Sequence, residues 1–565
     1  MKLNNYTKTG IIASILLLAS CRTNDTDNTL NSSGKVTAVQ VNLFGVDYAD
    51  AAVQGQASLK YNNTILPTPE KEITIISPST FLETRVNYES PKLNLRASEV
   101  NAVAGVPGNG ISYIKFRIIA YRADNGNYVA HKDYTVTSSG TIPDGEDLKL
   151  NGGTTYNMVV YSYNNIAALP AISAEELSGI SSGKISGAFD DFLYQRINSF
   201  TPNGSLNSNP LNILLRHKMP GINGITISLI NSSTMTWGSS TPVQNIVITS
   251  PNYGQSEFAF SGINAGKIVN RTNRSSKTLP TLNPTITGGN RIFMNMIGQT
   301  VNAETILNPL DKLTFTSDLT LTDNAMIPAV TNTRSITASF SLKPEYIHNF
   351  TIEIKKCGAI VGRYNATGNQ IEAPKFREFA CHNLGANVNA DPFIPSADIH
   401  GAKYQWGAFK NESGRYVSQS EDQANSGVIP GWQTTSVKPS NSWDTTDPCQ
   451  QEMGAGWRLP SGKEWADVVN NSLNPQTSVG SGANDGNYIS GMKFGNTLFL
   501  PYAGIRNRWD SGALVTRGWY AQYWSATADT ATESSWAVSS SFGNSVVTTY
   551  TTMRDFGQSI RCIRN

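Results

Sequence analysis

The chain has 565 residues, with 44 Lys and Arg against 42 Asp and Glu, for a formal charge of +2. Only 15% of the residues are charged and the signs are mixed, which excludes the basic footprint of a nucleic-acid binder. At about 100–200 residues per domain the length predicts three or four domains, and abundant Gly, Ser, Thr and Asn among alternating apolar residues predict β structure.

Lys2 and Lys8 precede the apolar run Ile11 to Leu18, and small residues follow it. A positive start, a short apolar core and small residues before the cut are the marks of a secretory signal peptide. The run is too short to cross a bilayer, which takes about 20 apolar residues. Leu18-Ala19-Ser20-Cys21 resembles a bacterial lipobox. That implies lipidation at Cys21, which becomes residue one and anchors the chain in the outer membrane. Residues 1–20 are then the signal peptide, and their loss with Lys2 and Lys8 takes the formal charge from +2 to zero. Residues 21–34 are polar and unpatterned, a flexible tether.

From residue 35 the pattern is β. Val39, Val41 and Leu43 alternate with Gln40 and Asn42, the period of a half-buried strand. Ile73 to Ile76 and Tyr113 to Ile119 continue it. The Asn125-Gly126 turn follows, and strand signals return at Tyr128 to Ala130 and Tyr134 to Val136, suggesting a meander or hairpin. A Gly turn at Gly152-Gly153 leads into the tyrosine-rich strand Tyr156 to Tyr163. A like arrangement recurs from Phe340 to Ile354, a weak repeat taken to mark the last strands of two sandwiches. Ser173 and Glu176 have the spacing of a capping box for a short connecting helix. The expected units are 35–168 and 169–355, each a β-sandwich of short strands separated by turns.

Several of these features together resemble the fimbrillin family of Bacteroidetes surface lipoproteins. They are the lipobox, the Gly/Tyr segment ending at Asn164, Asp191-Phe192-Leu193-Tyr194, and Ile213 to Lys218. The resemblance implies two tandem transthyretin-like sandwiches and assembly into pili by strand exchange with other fimbrial subunits. Members that polymerise lose an early strand to an Arg-directed protease. Here no arginine lies between Arg22 and Arg85, so the first strand survives such a cut.

After Cys357 the composition changes. Nine of the ten tryptophans lie from Trp406 to Trp536; only Trp237 lies outside. Trp457-Arg458-Leu459-Pro460 leads into Ser461 and Glu464, a second capping box, with Trp465, Val468 and Val469 on one face of a helix of about three turns. With Asp447-Pro448-Cys449, Gly518-Trp519-Tyr520, Tyr523-Trp524-Ser525 and Ile560-Arg561-Cys562, this set resembles the Fibrobacter succinogenes major paralogous domain. That family relates to C-type-lectin-like and formylglycine-generating-enzyme folds. The resemblance implies an α+β lectin-like domain over 356–565.

Trp457, Arg458, Pro460, Ser461, Glu464, Trp465 and Trp524 are the expected frame of this head, with Arg458 forking onto a carboxylate. Cys357, Cys381, Cys449 and Cys562 are an even set without a Cys-x-x-Cys spacing, which predicts two disulfides rather than zinc. Three pairings are open; Cys357–Cys381 with Cys449–Cys562 is favoured, the second tying the last strand to the domain centre. Formylglycine-generating chemistry needs a reactive cysteine pair late in its domain, and only Cys562 is late. His382 and His400 lack partners at ligand spacing, so no catalytic residue, metal or cofactor is expected. The ligand-contact candidates are Arg506, Arg508 and Trp509, then Trp519 and Tyr520, since exposed aromatics backed by Arg suit carbohydrate or protein recognition.

The sequence thus predicts a fimbrial tip subunit with an adhesive head for host or bacterial surface proteins or glycans. A membrane-anchored lipoprotein binding glycans or matrix proteins without pilus assembly is the second reading. A formylglycine-generating-like enzyme is the third.

Overall fold

The computed structural model describes residues 34–48, 70–89, 113–137, 140–230, 234–280, 283–287, 289–324, 328–362, 372–435, 443, 447–480, 487–528, 534–541 and 544–565. Cys21, the signal segment and residues 21–33 of the tether lie outside the described residues. What is described is mainly β.

The first unit is one eight-stranded sheet. Its order is Gly140–Pro143, Tyr128–Thr137, Lys115–Arg122, Tyr156–Ser162, Leu193–Phe200, Ser208–His217, Val36–Asp47 and Lys149–Asn151. The two outermost strands, Gly140–Pro143 and Lys149–Asn151, are consecutive in the chain with only a short link between them. The sheet therefore rolls over itself. Val39, Val41 and Leu43 point inward with Phe116, Ile118, Met158, Ile213 and Leu215, as the strand period requires. Each aliphatic side chain so buried stabilises the unit by about 1.5–3 kcal/mol. Val36–Asp47 runs parallel to Ser208–His217 and, at its start, antiparallel to Lys149–Asn151.

The second unit is a two-layer sandwich. One sheet runs Thr285–Thr287, Arg291–Thr300, Gly221–Leu229, Ile347–Lys356, Thr80–Glu89 and Glu70–Ser77; the other is built on Met235–Trp237, Leu313–Asp323, Val243–Ala259 and Ile268–Thr278. Ile225, Ile227, Ile292, Phe315, Phe340 and Phe350 fill the space between them.

Two expectations change here. The units do not divide at 168/169. The hairpin of Glu70–Ser77 and Thr80–Glu89 belongs to the second unit, paired with Ile347–Lys356, whereas Leu193–Phe200 and Ser208–His217 belong to the first sheet. Of the repeat strands, Ile347–Lys356 is the last of its unit in chain order, whereas Tyr156–Ser162 is not, since Leu193–Phe200 and Ser208–His217 follow it in the first sheet. Alternation says which face of a strand is buried, not which sheet it joins.

The connector does form its short helix, Ala174–Leu177, with the Ser173/Glu176 capping box. Glu176 is buried and accepts from the Tyr161 hydroxyl at 2.7 Å. Around it Tyr121 and Val159 of the first sheet meet Phe189, Phe192, Phe258 and Phe260. This third core joins the two units.

The head follows. Its helix Gly462–Asn470 buries Trp465, Val468 and Val469 against Met492, Phe494, Leu498 and Leu500. A second cluster holds Trp406, Trp443, Trp457 and Trp524. Disulfides join Cys357 to Cys381 and Cys449 to Cys562, the favoured pairs. The first sits where the head meets the second unit. It packs on Phe81, and the Cys357 and Cys381 amides donate to the Ser79 and Pro78 carbonyls at 2.8 Å. Beside it the Lys356 ammonium lies 3.0 Å from both Asp323 and Glu378, with Arg564 bound to the same two carboxylates.

Candidate functional site

The frame residues assemble around the helix start. Ser461 and Glu464 form the reciprocal cap, and Arg458 forks onto Glu464 at 2.7 and 2.8 Å. Burial alone would raise the Glu464 carboxyl; the Arg458 fork, the Ser461 amide and nearby Arg377 outweigh it and pull the pKa down to about 2. Pro460 precedes the N-cap and is buried. The indole N–H of Trp465 donates to the Trp524 carbonyl at 3.2 Å, and that of Trp524 to the Tyr404 carbonyl at 2.7 Å. Asp447, to which the sequence reading gave no role, ties this region together. Its carboxylate accepts from the Cys449 and Leu459 amides, both at 2.8 Å.

The ligand-contact candidates separate. Arg506 is a correction: it is 0% exposed and belongs to the interior. Its guanidinium donates to the Asp422 carboxylate at 2.7 Å and to the carbonyls of Asp422, Asn425, Gly427 and Gly512. A strand alternates its faces, and Arg506 falls on the inner one, where Asp422 offsets the cost of burying its charge. Arg508 lies nearer the surface, paired with Asp555 at 3.1 Å. Trp509 is 72% exposed at the tip of the hairpin formed by Ile505–Asn507 and Ala513–Val515. Trp519 is 41% exposed on a separate turn. Tyr520 is half-buried, its hydroxyl accepting from Gln522 and lying 3.4 Å from that of Tyr550.

The Trp509 hairpin is held from below. The Trp509 ring meets Phe556 edge-on at 5.0 Å. Trp432, buried, lies against Gly512 and Gly557, where an added Cβ would come within 2.8 and 2.7 Å of the indole. Gly512 also has φ +81°, so a side chain there is excluded twice. The neighbouring segment is laced to the hairpin: the Ile429 amide donates to Ser511 and the Leu514 amide to Ser426.

Continuous with that segment is an open groove of about 470 Å³ lined by Asn411, Glu412, Tyr416, Glu421, Asn425 and Pro430. One aromatic face among amides and carboxylates suits a hydroxyl-rich ligand. The sequence reading missed this groove, although Ser418 and Glu421 carry capping-box spacing, and the helix they cap, Gln419–Ala424, forms part of its wall.

His382 is structural here. His382 donates to the Ala390 carbonyl at 2.8 Å, and burial with Arg561 nearby pushes it down to about 4. Among the described residues no three His, Cys, Asp or Glu side chains gather as a metal site. All four head cysteines are bridged, and a bridged sulfur is neither nucleophile nor metal ligand. No described helix is long and apolar enough to cross a membrane.

No family model matches the chain, and no curated protein does. Among solved structures, the chain is similar to a candidate cell adhesion protein from Bacteroides ovatus ATCC 8483, at 14% identity and a TM-score of 0.23, over 45% of this chain and 88% of the other. Another, from Parabacteroides distasonis ATCC 8503, gives 11% identity and a TM-score of 0.28, over 48% and 87%. A fimbrial assembly protein from the same organism gives 8% and 0.19, over 47% and 87%. TM-scores this low establish no shared fold, and the functional reading rests on this chain's own residues.

Proposed function

We propose that the chain is an accessory subunit at the tip of a cell-surface fimbrium. Two transthyretin-like sandwiches join the shaft, and a C-type-lectin-like head presents the Trp509 hairpin and its groove to a protein or glycan on a host or bacterial surface. The head binds and does not catalyse.

The observation that carries this reading is the C-terminus. Ile563–Arg564 pairs with Trp457–Arg458 inside the head, and the adjoining Cys562 is bonded to Cys449. A shaft subunit lends a strand to its neighbour's sheet; Ile563–Arg564 is instead paired within its own head. The other end differs. Val36–Asp47 is held between Ser208–His217 and Lys149–Asn151 by backbone hydrogen bonds and its inward Val39, Val41 and Leu43. A donated strand of the same alternation would satisfy the same groove. A subunit that accepts a strand while keeping Ile563–Arg564 in its own head belongs at the end of a fibre. Immunogold labelling of purified pili with antibody to residues 356–565 tests this. Signal confined to fibre ends is the expected result, and signal along the shaft refutes it.

A second reading is favoured by the absence of arginine between Arg22 and Arg85. The first strand then stays in place, and the chain acts as a lipoprotein anchored through Cys21 in the outer membrane, binding glycans or matrix proteins without joining a pilus. Lipid retained on Cys21 in mature protein, with no co-purifying fimbrial subunit, would select it.

A further inference from the structure

Beneath the Trp509 hairpin lies a charge cluster that surface recognition does not use. Lys403, Arg506 and Arg517 converge on one carboxylate, Asp422, at 3.6, 2.7 and 2.8 Å, and His400 lies beside them. Exposures are 0% for Lys403, Arg506 and His400, 3% for Arg517, and 0% for Asp422. Among the described residues three buried cations therefore share one anion, leaving two positive charges uncompensated. A buried charge without a partner is among the costliest features a fold can hold.

The donors are unequally served. Arg506 is engaged along its whole fork, as described above. Arg517 gives Nη2 to Asp422 and Nη1 to the Tyr488 hydroxyl at 2.7 Å, but its Nε has no protein acceptor. The Lys403 ammonium lies beyond hydrogen-bond reach of Asp422 and has none either. Neither ring nitrogen of His400 has one. These groups are neighbours. The His400 ring lies 5.0 Å from the Tyr488 ring, and the Arg517 guanidinium carbon lies 4.9 Å from the same ring. The electrostatics agree: burial, then Lys403 and Arg517, push His400 down to about 3, and burial pushes Lys403 down to about 8 against the pull of Asp422.

We propose that the head binds one small monovalent anion of the halide class inside this cluster, held by the Lys403 ammonium, the Arg517 Nε–H and one N–H of His400. A halide suits a cluster dominated by unpartnered donors, since it accepts from all sides and donates nothing; the neutral His400 ring turns its one N–H toward it. It would cancel one of the two excess charges. Its place also links it to the surface, because Arg506, on the same Asp422, holds the Gly427 and Gly512 carbonyls at the foot of the Trp509 hairpin. The inference is independent of the tip-subunit reading.

The test uses the full chain, exchanged into sodium gluconate and titrated with sodium bromide at constant ionic strength. The expected result is a saturable rise in melting temperature that is absent in Lys403→Met, where the side chain keeps its length and loses its charge. In bromide-soaked crystals of the unmodified protein, one anomalous peak is expected within hydrogen-bond distance of the Lys403 Nζ. The proposal is overturned by no rise, by an equal rise in Lys403→Met, or by bromide found only at the surface. The crystal decides the matter even if the variant fails to fold.

Discussion

The two disulfides close loops of very different size, and that difference can be measured. Cys449 and Cys562 are 113 residues apart, Cys357 and Cys381 only 24. If each bridge acts by denying the unfolded chain its loop entropy, the longer one stabilises by about 4.8 kcal/mol and the shorter by about 3.5 kcal/mol. The gap of about 1.3 kcal/mol is close to a tenfold difference in the unfolding constant. Paired Cys→Ser variants of each bridge, unfolded in guanidinium and followed by tryptophan fluorescence, read this directly, because all tryptophans but Trp237 lie in the head. The Cys449→Ser/Cys562→Ser variant should unfold at the lower denaturant concentration. If Cys357→Ser/Cys381→Ser costs as much or more, loop entropy is not what the bridges supply. The contacts of the shorter bridge with Phe81 and the Ser79 carbonyl would then be the stronger term.

Trp509→Ala should abolish adhesion by the head while moving stability by no more than about 0.5 kcal/mol, since its ring is mostly in solvent; Trp465→Ala, fully buried, should cost about 3–5 kcal/mol. Binding and unfolding assays on the same two proteins separate these outcomes. Arg506→Met should destabilise the head by about 3–5 kcal/mol, because it strands four carbonyls and removes a buried partner of Asp422; urea titration checks it. The Glu464 carboxyl has a folded pKa of about 2, below its ordinary 4.5. Its contribution is therefore complete above about pH 4.5 and is lost as pH falls toward 2. Glu464→Gln should be less stable at pH 7 and show a shallower acid limb between those values, as read by melting temperature against pH.

Local chemistry was legible in the sequence where neighbours in the chain decide it. Ser461 and Glu464 cap their helix because the reciprocal bonds span three residues. Val39, Val41 and Leu43 face inward because a strand alternates. What crosses the chain was not legible. The hairpin at 70–89 joins strands more than 250 residues later, and nothing in its own residues names that partner. Arg506 and Trp509 stand three apart in a stretch that reads uniformly polar and aromatic, yet one is buried and the other exposed. Only Asp422, 84 residues earlier, decides which. The groove beside them is local, lined wholly from residues 411–430, but its shape comes from how the turns on either side fold back on the helix Gln419–Ala424, which alternation and capping signals do not specify.

The bridge at Cys357–Cys381 has a mechanical side. On the proposed reading, a ligand held at Trp509 and pulled by flow would load the chain back toward the second unit, through the segment that this bridge spans. Without the bridge, those 24 residues could pay out about 80 Å of slack when drawn straight. With it, tension passes through sulfur at the foot of the head, onto the strand Ile347–Lys356 at the centre of its sheet. The head is thereby joined to its stalk as a short, inextensible link.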